Sequence, residues 1–177
     1  EISKKAGIHS IDTVRHRVEL GRDTYASGKI GPEMVEELCT ILQDFVRIMN
    51  GYQVDASRVI ATSSLREAEN NLFILGKIRQ TTGLQVEILS NSEQRFLSYK
   101  AIASIESRFN KMIEKGTAIV DVDGGSTQVS LFDKAALVTT QNIRMGNLRV
   151  RERLQPVIGE TTHYERLVEE LIQNRIY

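Results

Sequence analysis

Apolar and polar positions change their spacing along this chain, and each change predicts an element. From Thr117 to Phe132 an apolar run, Ala118 to Val122, is interrupted only by Asp121. The turn residues Asp123, Gly124, Gly125 and Ser126 follow. Beyond them Thr127, Val129 and Leu131 share one face, while Gln128 and Ser130 take the other. This predicts strand, tight turn and strand, with the first strand buried on both faces. The two glycines remove Cβ atoms where backbone comes close to something, and they permit positive φ.

Upstream, Arg15 to Leu20 alternates and predicts a strand ending at Gly21, with His16 on a solvated face. Turn chemistry follows at Ser27-Gly28 and Ile30-Gly31. Pro32 then opens a helix in which Met34, Leu38, Ile41, Leu42, Phe45 and Met49 recur at helical spacing, and Gly51 stops it. That spacing marks them as core. Arg58 to Thr62 predicts a short buried strand running into Ser63 to Glu67, where Ser64 and Glu67 have capping-box spacing. Asn70-Asn71 breaks that helix, and Leu72, Leu75 and Ile78 begin another that ends near Gly83. Leu84 to Leu89 is a third strand. Ser90 to Ser92 caps a helix carrying Glu93, Phe96, Tyr99, Ile102, Ala103, Ile105 and Phe109.

The charged stretch Arg108 to Lys115 shows no periodicity and predicts a boundary between two domains, residues 1–110 and 116–177. Ala136 to Ile143 is a further strand. Met145-Gly146 leads into a short basic helix around Arg149, Arg151 and Arg153, which Pro156 and Gly159 end. Thr161 or Thr162 starts a last helix with Leu167, Leu171 and Ile172 inward. Strands alternating with helices in this way indicate an α/β architecture.

Composition narrows the function. The 177 residues carry 23 Lys plus Arg and 23 Asp plus Glu, so no net field draws the chain to nucleic acid or to a membrane. A polyanion would have to be held by local groups. The single Cys39 excludes a disulfide within the chain and suits a reducing, cytoplasmic compartment. No apolar run approaches a membrane span. The chain begins at Glu1 without methionine, which predicts a trimmed start.

Three places carry candidate chemistry. Backbone N–H groups of the 123–126 turn, with the hydroxyls of Ser126 and Thr127, would form a concavity suited to phosphate oxygens. Asp121, at the end of an apolar strand, would need a metal ion or bound water to offset its burial. The strand-to-helix junction at residues 62–66 suits an anion, with Arg66 as a fixed charge beside it.

Three stretches in order resemble the Ppx/GppA phosphatases, the exopolyphosphatases and guanosine pentaphosphate phosphohydrolases. They are Ala61 to Ala68 (A-T-S-S-L-R-E-A), Thr82 to Ser90 with the helix after it, and Val120 to Gln128 (V-D-V-D-G-G-S-T-Q). The resemblance implies the actin-like ATPase (ribonuclease H-like) fold, with residues 1–110 as most of the first domain and 116–177 as the first half of the second. It implies hydrolysis of polyphosphate or guanosine pentaphosphate with Mg²⁺ held by Asp121. It also implies phosphate contacts from Arg66, Gly124, Gly125, Ser126 and Thr127, and is compatible with a homodimer; the balanced charge and the lack of a span predict no nucleic-acid or membrane partner. The family's opening D-x-G-S-N-S loop has no counterpart here, so the chain reads as a fragment trimmed at both ends.

Inside the motifs the chain departs from the family pattern D-x-G-G-G-S-T-E. Asp123 stands at the first glycine, and Gln128 stands at the glutamate implicated in metal or water chemistry. The family's general-base glutamate lies in a stretch resembling Leu89 to Leu97. An ungapped match puts Gln94 there and keeps Leu97, Tyr99 and Ala101 at similar residues; one deletion puts Glu93 there instead. A glutamine has neither charge nor a usable proton. A weakly catalytic, phosphate-binding member of the same family is therefore the alternative to a working hydrolase.

Overall fold

The computed structural model describes residues 2–3, 7–157 and 163–176. In chain order it holds β1 (Ile2–Ser3), β2 (Gly7–Ile8), α1 (Leu20–Ser27), α2 (Pro32–Gly51), β3 (Val59–Ala61), α3 (Ser63–Glu67), α4 (Asn71–Thr82), β4 (Val86–Ile88) and α5 (Asn91–Ile105). Then come α6 (Phe109–Ile113), β5 (Thr117–Val122), β6 (Thr127–Asp133), β7 (Ala136–Ile143), α7 (Asn147–Leu154), a 3₁₀ turn at Gln155–Val157, and α8 (Tyr164–Ile176). Gly159, Thr161 and Thr162, the predicted markers before the last helix, lie outside the described residues.

The first half is built on α2 and α4 packed against a parallel β3–β4 pair. Pro32 sits at the start of α2, and Gly83 closes α4 in the left-handed region, as the sequence predicts. Ile30, Met34, Val35, Cys39, Leu65, Ala68, Ile74 and Ile78 form the core beneath Ala61, Val86 and Ile88. Ile74 and Ile78 are almost fully buried, and each contributes about 1.5–3 kcal/mol on that account. Asn70 clasps the chain before α2 from both sides: its Oδ1 accepts from the Ile30 N–H (3.1 Å) and its Nδ2 donates to the Ile30 carbonyl (2.9 Å).

Several expectations fail in this half. Residues 15–19 form no strand, and Leu20 instead opens α1. Gly21 lies within that helix, buried, because a Cβ there would come 2.6 Å from the Tyr25 ring. Alternation over six residues was a weaker signal than helix packing against α3 and α7. Ile60 on β3 is half exposed, so this strand is not fully buried. Leu72, Phe96 and Ile105, whose facing the spacing left open, are exposed, because the buried stripe of α4 runs through Ile74 and Ile78, and α5 covers its sheet with polar groups. The capping box forms at Ser90 and Glu93, not at Ser64 and Glu67. Residues 109–113 of the predicted connection form α6.

The second half is an antiparallel meander, β5–β6–β7, with Asp121 opposite Gln128 and Val122 opposite Thr127. The β6–β7 link is a two-residue turn with positive φ at Lys134 (50°) and Ala135 (61°). Their N–H groups donate to the carbonyls of Glu114 (3.2 Å) and Ile113 (3.0 Å) at the end of α6. That accounts for an element at 109–113 which periodicity could not show.

The expectation that β5 is buried on both faces is also corrected. Its faces alternate, and Val120 and Val122 are 57% and 60% exposed. Within this hairpin it is the polar side that is covered. Gln128, Ser130 and Phe132 turn toward α5, where Tyr99 donates to Ser130 (2.5 Å) and stands edge-on to Phe132 at 5.2 Å. One helical layer covers one face of this sheet, and its apolar outer face meets no packing element among the described residues.

Candidate phosphate site

The 123–126 turn lies between α7 and the loop-to-helix junction before α3. Three successive carbonyls point to the α7 side. The Asp123 carbonyl accepts from the Asn147 N–H (3.1 Å). The Gly124 carbonyl accepts from the N–H groups of Leu148 (3.0 Å) and Arg149 (3.1 Å). The Gly125 carbonyl accepts from the Arg149 guanidinium Nε at 2.8 Å. In a trans peptide the next N–H points opposite to the carbonyl. The N–H groups of Gly124, Gly125 and Ser126 therefore face away from α7, and among the described residues they donate to nothing. Three such N–H groups on one side of a turn are donors of the kind that suit an anion.

The glycines are required here by space, not by dihedral angle. Among the described residues positive φ at glycine occurs at Gly28 and Gly83, so the expected left-handed role of Gly124 and Gly125 is not used. A Cβ on Gly125 would fall 2.1 Å from the Tyr25 hydroxyl oxygen, and one on Gly124 would fall 2.9 Å from Leu148. Tyr25 donates to Ser63 Oγ (3.0 Å), and the Arg149 guanidinium stacks on its ring at 4.1 Å.

On the other side of the turn a chain of hydrogen bonds joins two of the predicted residues, Arg66 and Gln94, to Asp123, which the sequence marks only as a departure from the family's glycine. Arg66 donates to the Leu89 carbonyl (2.6 Å) and to Gln94 Oε1 (3.3 Å), and Gln94 Nε2 donates to Asp123 Oδ2 (2.5 Å). Burial pushes the Asp123 carboxyl above its ordinary range, and the charge of Asp121 pushes it further; the Gln94 N–H and the Arg66 charge oppose the rise. Arg66 pairs with neither neighbouring glutamate: Glu67 binds Arg149 (2.7 Å) and Glu69 binds Lys29 (3.6 Å).

Glu93 lies elsewhere. It is exposed, and its carboxylate accepts from the Ser90 N–H (2.8 Å) in the capping box; hydrogen bonding to the Ser90 side chain first, and to its main chain second, lowers its pKa. Of the pair left open by the sequence, Gln94 is the one that meets the turn. Thr127 Oγ1 donates to the Met145 carbonyl (2.5 Å), which ties it to the β7–α7 link.

Asp121, Gln128 and Asn142 form one row across the three strands. Ser98 donates to Asp121 (3.0 Å). Both amide atoms of Gln128, the Asn142 Oδ1 and the Ser126 Oγ are buried without a partner. An orphaned buried polar atom costs about 1–3 kcal/mol unless water or a ligand satisfies it. Among the described residues no three His, Cys, Asp or Glu side chains gather as a metal cage. Two nearby carboxylates with orphaned oxygens beside them fit a hard cation that keeps most of its waters, as Mg²⁺ does.

Sequence reasoning missed Tyr25, Arg149 and Asn142. Tyr25 fell in a stretch read as turns, and Arg149 in a helix read only as basic. Asn142 could have been found from strand register alone, opposite Gln128.

Residues 2–176 match the profile of the Ppx/GppA phosphatase family. The chain belongs to that family. Exopolyphosphatase 2 of Mycobacterium tuberculosis is 24% identical over 176 residues, covering 94% of this chain and 53% of that protein. The guanosine-5'-triphosphate,3'-diphosphate pyrophosphatase of Photobacterium profundum is 22% identical over 135 residues, covering 75% and 26%. The crystal structure of an exopolyphosphatase-like protein superposes with a TM-score of 0.80 at 19% identity, over 99% of this chain and 54% of that one. This Ppx/GppA chain has the actin-like ATPase fold of its structural neighbours. It spans about half the length of the exopolyphosphatase it matches. Among the described residues no helix is long and apolar enough to cross a membrane.

Proposed function

We propose that this turn and the side chains beside it bind the terminal phosphates of polyphosphate or guanosine pentaphosphate, and that the protein releases phosphate from them slowly. The observation that carries this reading is the Arg66–Gln94–Asp123 chain of hydrogen bonds facing a turn with three unengaged N–H groups. The N–H groups of Gly124, Gly125 and Ser126 supply neutral donors, and Arg66 supplies a fixed positive charge. Asp121, with Asp123 and the Gln128 carbonyl near it, would hold Mg²⁺ through water. When bound, that ion would neutralise phosphate charge and orient the reacting groups.

Slow turnover follows from the side chains at positions 94 and 128. Both are amides, and an amide orients a water without accepting its proton. Glu93, assigned by one frame to activate water, is engaged at its own helix terminus and faces solvent. A missing general base removes roughly 10²–10⁴-fold in rate. The same two amides favour a second reading, a regulatory member that binds a phosphorylated ligand without turning it over. The lone buried Cys39 suits a reducing, cytoplasmic compartment, and the family resemblance suits a homodimer.

A phosphate-release assay on the full-length protein, with polyphosphate and guanosine pentaphosphate, separates the readings. Slow wild-type release, raised more by Gln94→Glu with Gln128→Glu than by either alone, supports the hydrolase. Binding without release in both the parent and the double variant supports the regulatory reading. Rapid wild-type release would overturn the roles given to Gln94 and Gln128, and its loss in Glu93→Gln would overturn the purely capping role of Glu93.

A further inference from the structure

Arg149 lies outside the residues that face the proposed ligand, yet it touches every layer behind the turn. Its Nε donates to the Gly125 carbonyl (2.8 Å), another guanidinium nitrogen donates to Glu67 of α3 (2.7 Å), and its plane stacks on Tyr25 at 4.1 Å. Its side chain is only 13% exposed, so solvent screens the ion pair with Glu67 weakly. Glu67 and Arg149 are 82 positions apart in sequence, so the contact joins the first half of the chain to the second.

We propose that Arg149 is the positioning residue of the phosphate turn: by holding the Gly125 carbonyl toward α7 it aims the Ser126 N–H to the opposite side, where a phosphate would sit. The inference rests on the phosphate-binding reading above. The Gly125–Ser126 peptide is one rigid plane, and glycine at 125 lets it rotate at small steric cost. A flipped plane would present a carbonyl oxygen to a phosphate in place of a donor. The carbonyls of Asp123 and Gly124 are held by backbone N–H groups of α7, but the Gly125 carbonyl is held by this side chain. The guanidinium suits the task because its planar fork serves the carbonyl, the carboxylate and the aromatic face together. A lysine would keep the charge and reach one partner at a time.

Two substitutions in the full-length protein separate positioning from simple bracing. Glu67→Gln removes the ion pair and leaves the Arg149–Gly125 bond and the Tyr25 stack. Arg149→Lys keeps the charge and loses the fork. Isothermal titration with polyphosphate should show near-parental affinity for Glu67→Gln. It should show affinity about tenfold weaker for Arg149→Lys, the effect of one lost hydrogen bond to a charged group. Amide hydrogen exchange at Asp123, whose N–H donates to the Ser126 carbonyl across the turn (2.9 Å), should quicken in Arg149→Lys alone. Equal affinity and equal exchange in the two variants would overturn the inference. If the parent binds no polyphosphate, the phosphate-binding reading fails, and the exchange comparison still decides whether Arg149 holds the turn.

Discussion

Replacing Gly146 with alanine tests how tightly the turn is packed against α7. Gly146 has φ −126° and ψ 169°, an extended conformation open to any residue, so glycine is required there by space alone. An added Cβ would lie 2.3 Å from the Asp123 carbonyl oxygen and 2.5 Å from the Gly124 carbonyl carbon, against a floor near 3.0 Å for real Cβ contacts. Both neighbours are main-chain atoms and cannot rotate aside. Overpacking typically costs about 1–3 kcal/mol, and the rigid surroundings place this case at the upper end. The displaced carbonyls also accept the first N–H groups of α7, and each bond lost adds about 1 kcal/mol. Gly146→Ala should thus destabilise by about 4 kcal/mol, a large share of a domain's usual 5–15 kcal/mol. Urea unfolding monitored by circular dichroism measures this, with Gly76→Ala as the control. Gly76 lies in α4 with nothing within 4 Å of a new Cβ, so that change should stabilise by about 0.5–1 kcal/mol. A Gly146→Ala protein within about 1 kcal/mol of its parent would show that the turn is loosely held.

Three further outcomes are expected. Glu19, bonded to Arg151 and Arg17, has its pKa lowered from 4.5 to about 2, so its contribution is present in full above pH 4.5 and lost as pH falls toward 2. Thermal unfolding should lose part of its acid slope in Glu19→Gln, the more so at low salt, and an unchanged slope would refute the assignment. Asp123 has the opposite sign: its raised pKa means that its charged form costs stability above that pKa. Asp123→Asn should raise the melting temperature at pH 7, with an advantage that shrinks as the pH falls through the raised value; a lowered melting temperature at pH 7 would count against a strained carboxylate. Lys134 and Ala135 hold positive φ without being Asn or Gly. Lys134→Asn with Ala135→Gly should stabilise by about 1–2 kcal/mol in denaturant melts, and no gain would mean that the turn carries no strain.

The sequence by itself determined the elements whose signals are local. Pro32 and Gly83 mark helix ends through dihedral preference and missing donors. The helical spacing from Met34 to Met49 reports one buried stripe. The glycine turn between two strands is legible because few residues allow so close an approach. The ordered motifs from Ala61, Thr82 and Val120 marked the family for the same reason, since each is a run of neighbouring residues. What depends on distant partners was not legible. Alternation in β5 and β6 separates two faces but cannot tell which of them a helix will cover, so polar Gln128 and Ser130 lie inside while Val120 and Val122 lie outside. The choice between Glu93 and Gln94 is a rotation of about 100° around α5, decided when Ser90 captured one side chain and Asp123 the other. Arg149 is one arginine among several in a basic helix until folding brings Glu67, Tyr25 and the Gly125 carbonyl around it. Local sequence sets backbone conformation through sterics and capping, whereas the partners of a side chain are set by which elements pack together, and only the tertiary structure carries that information.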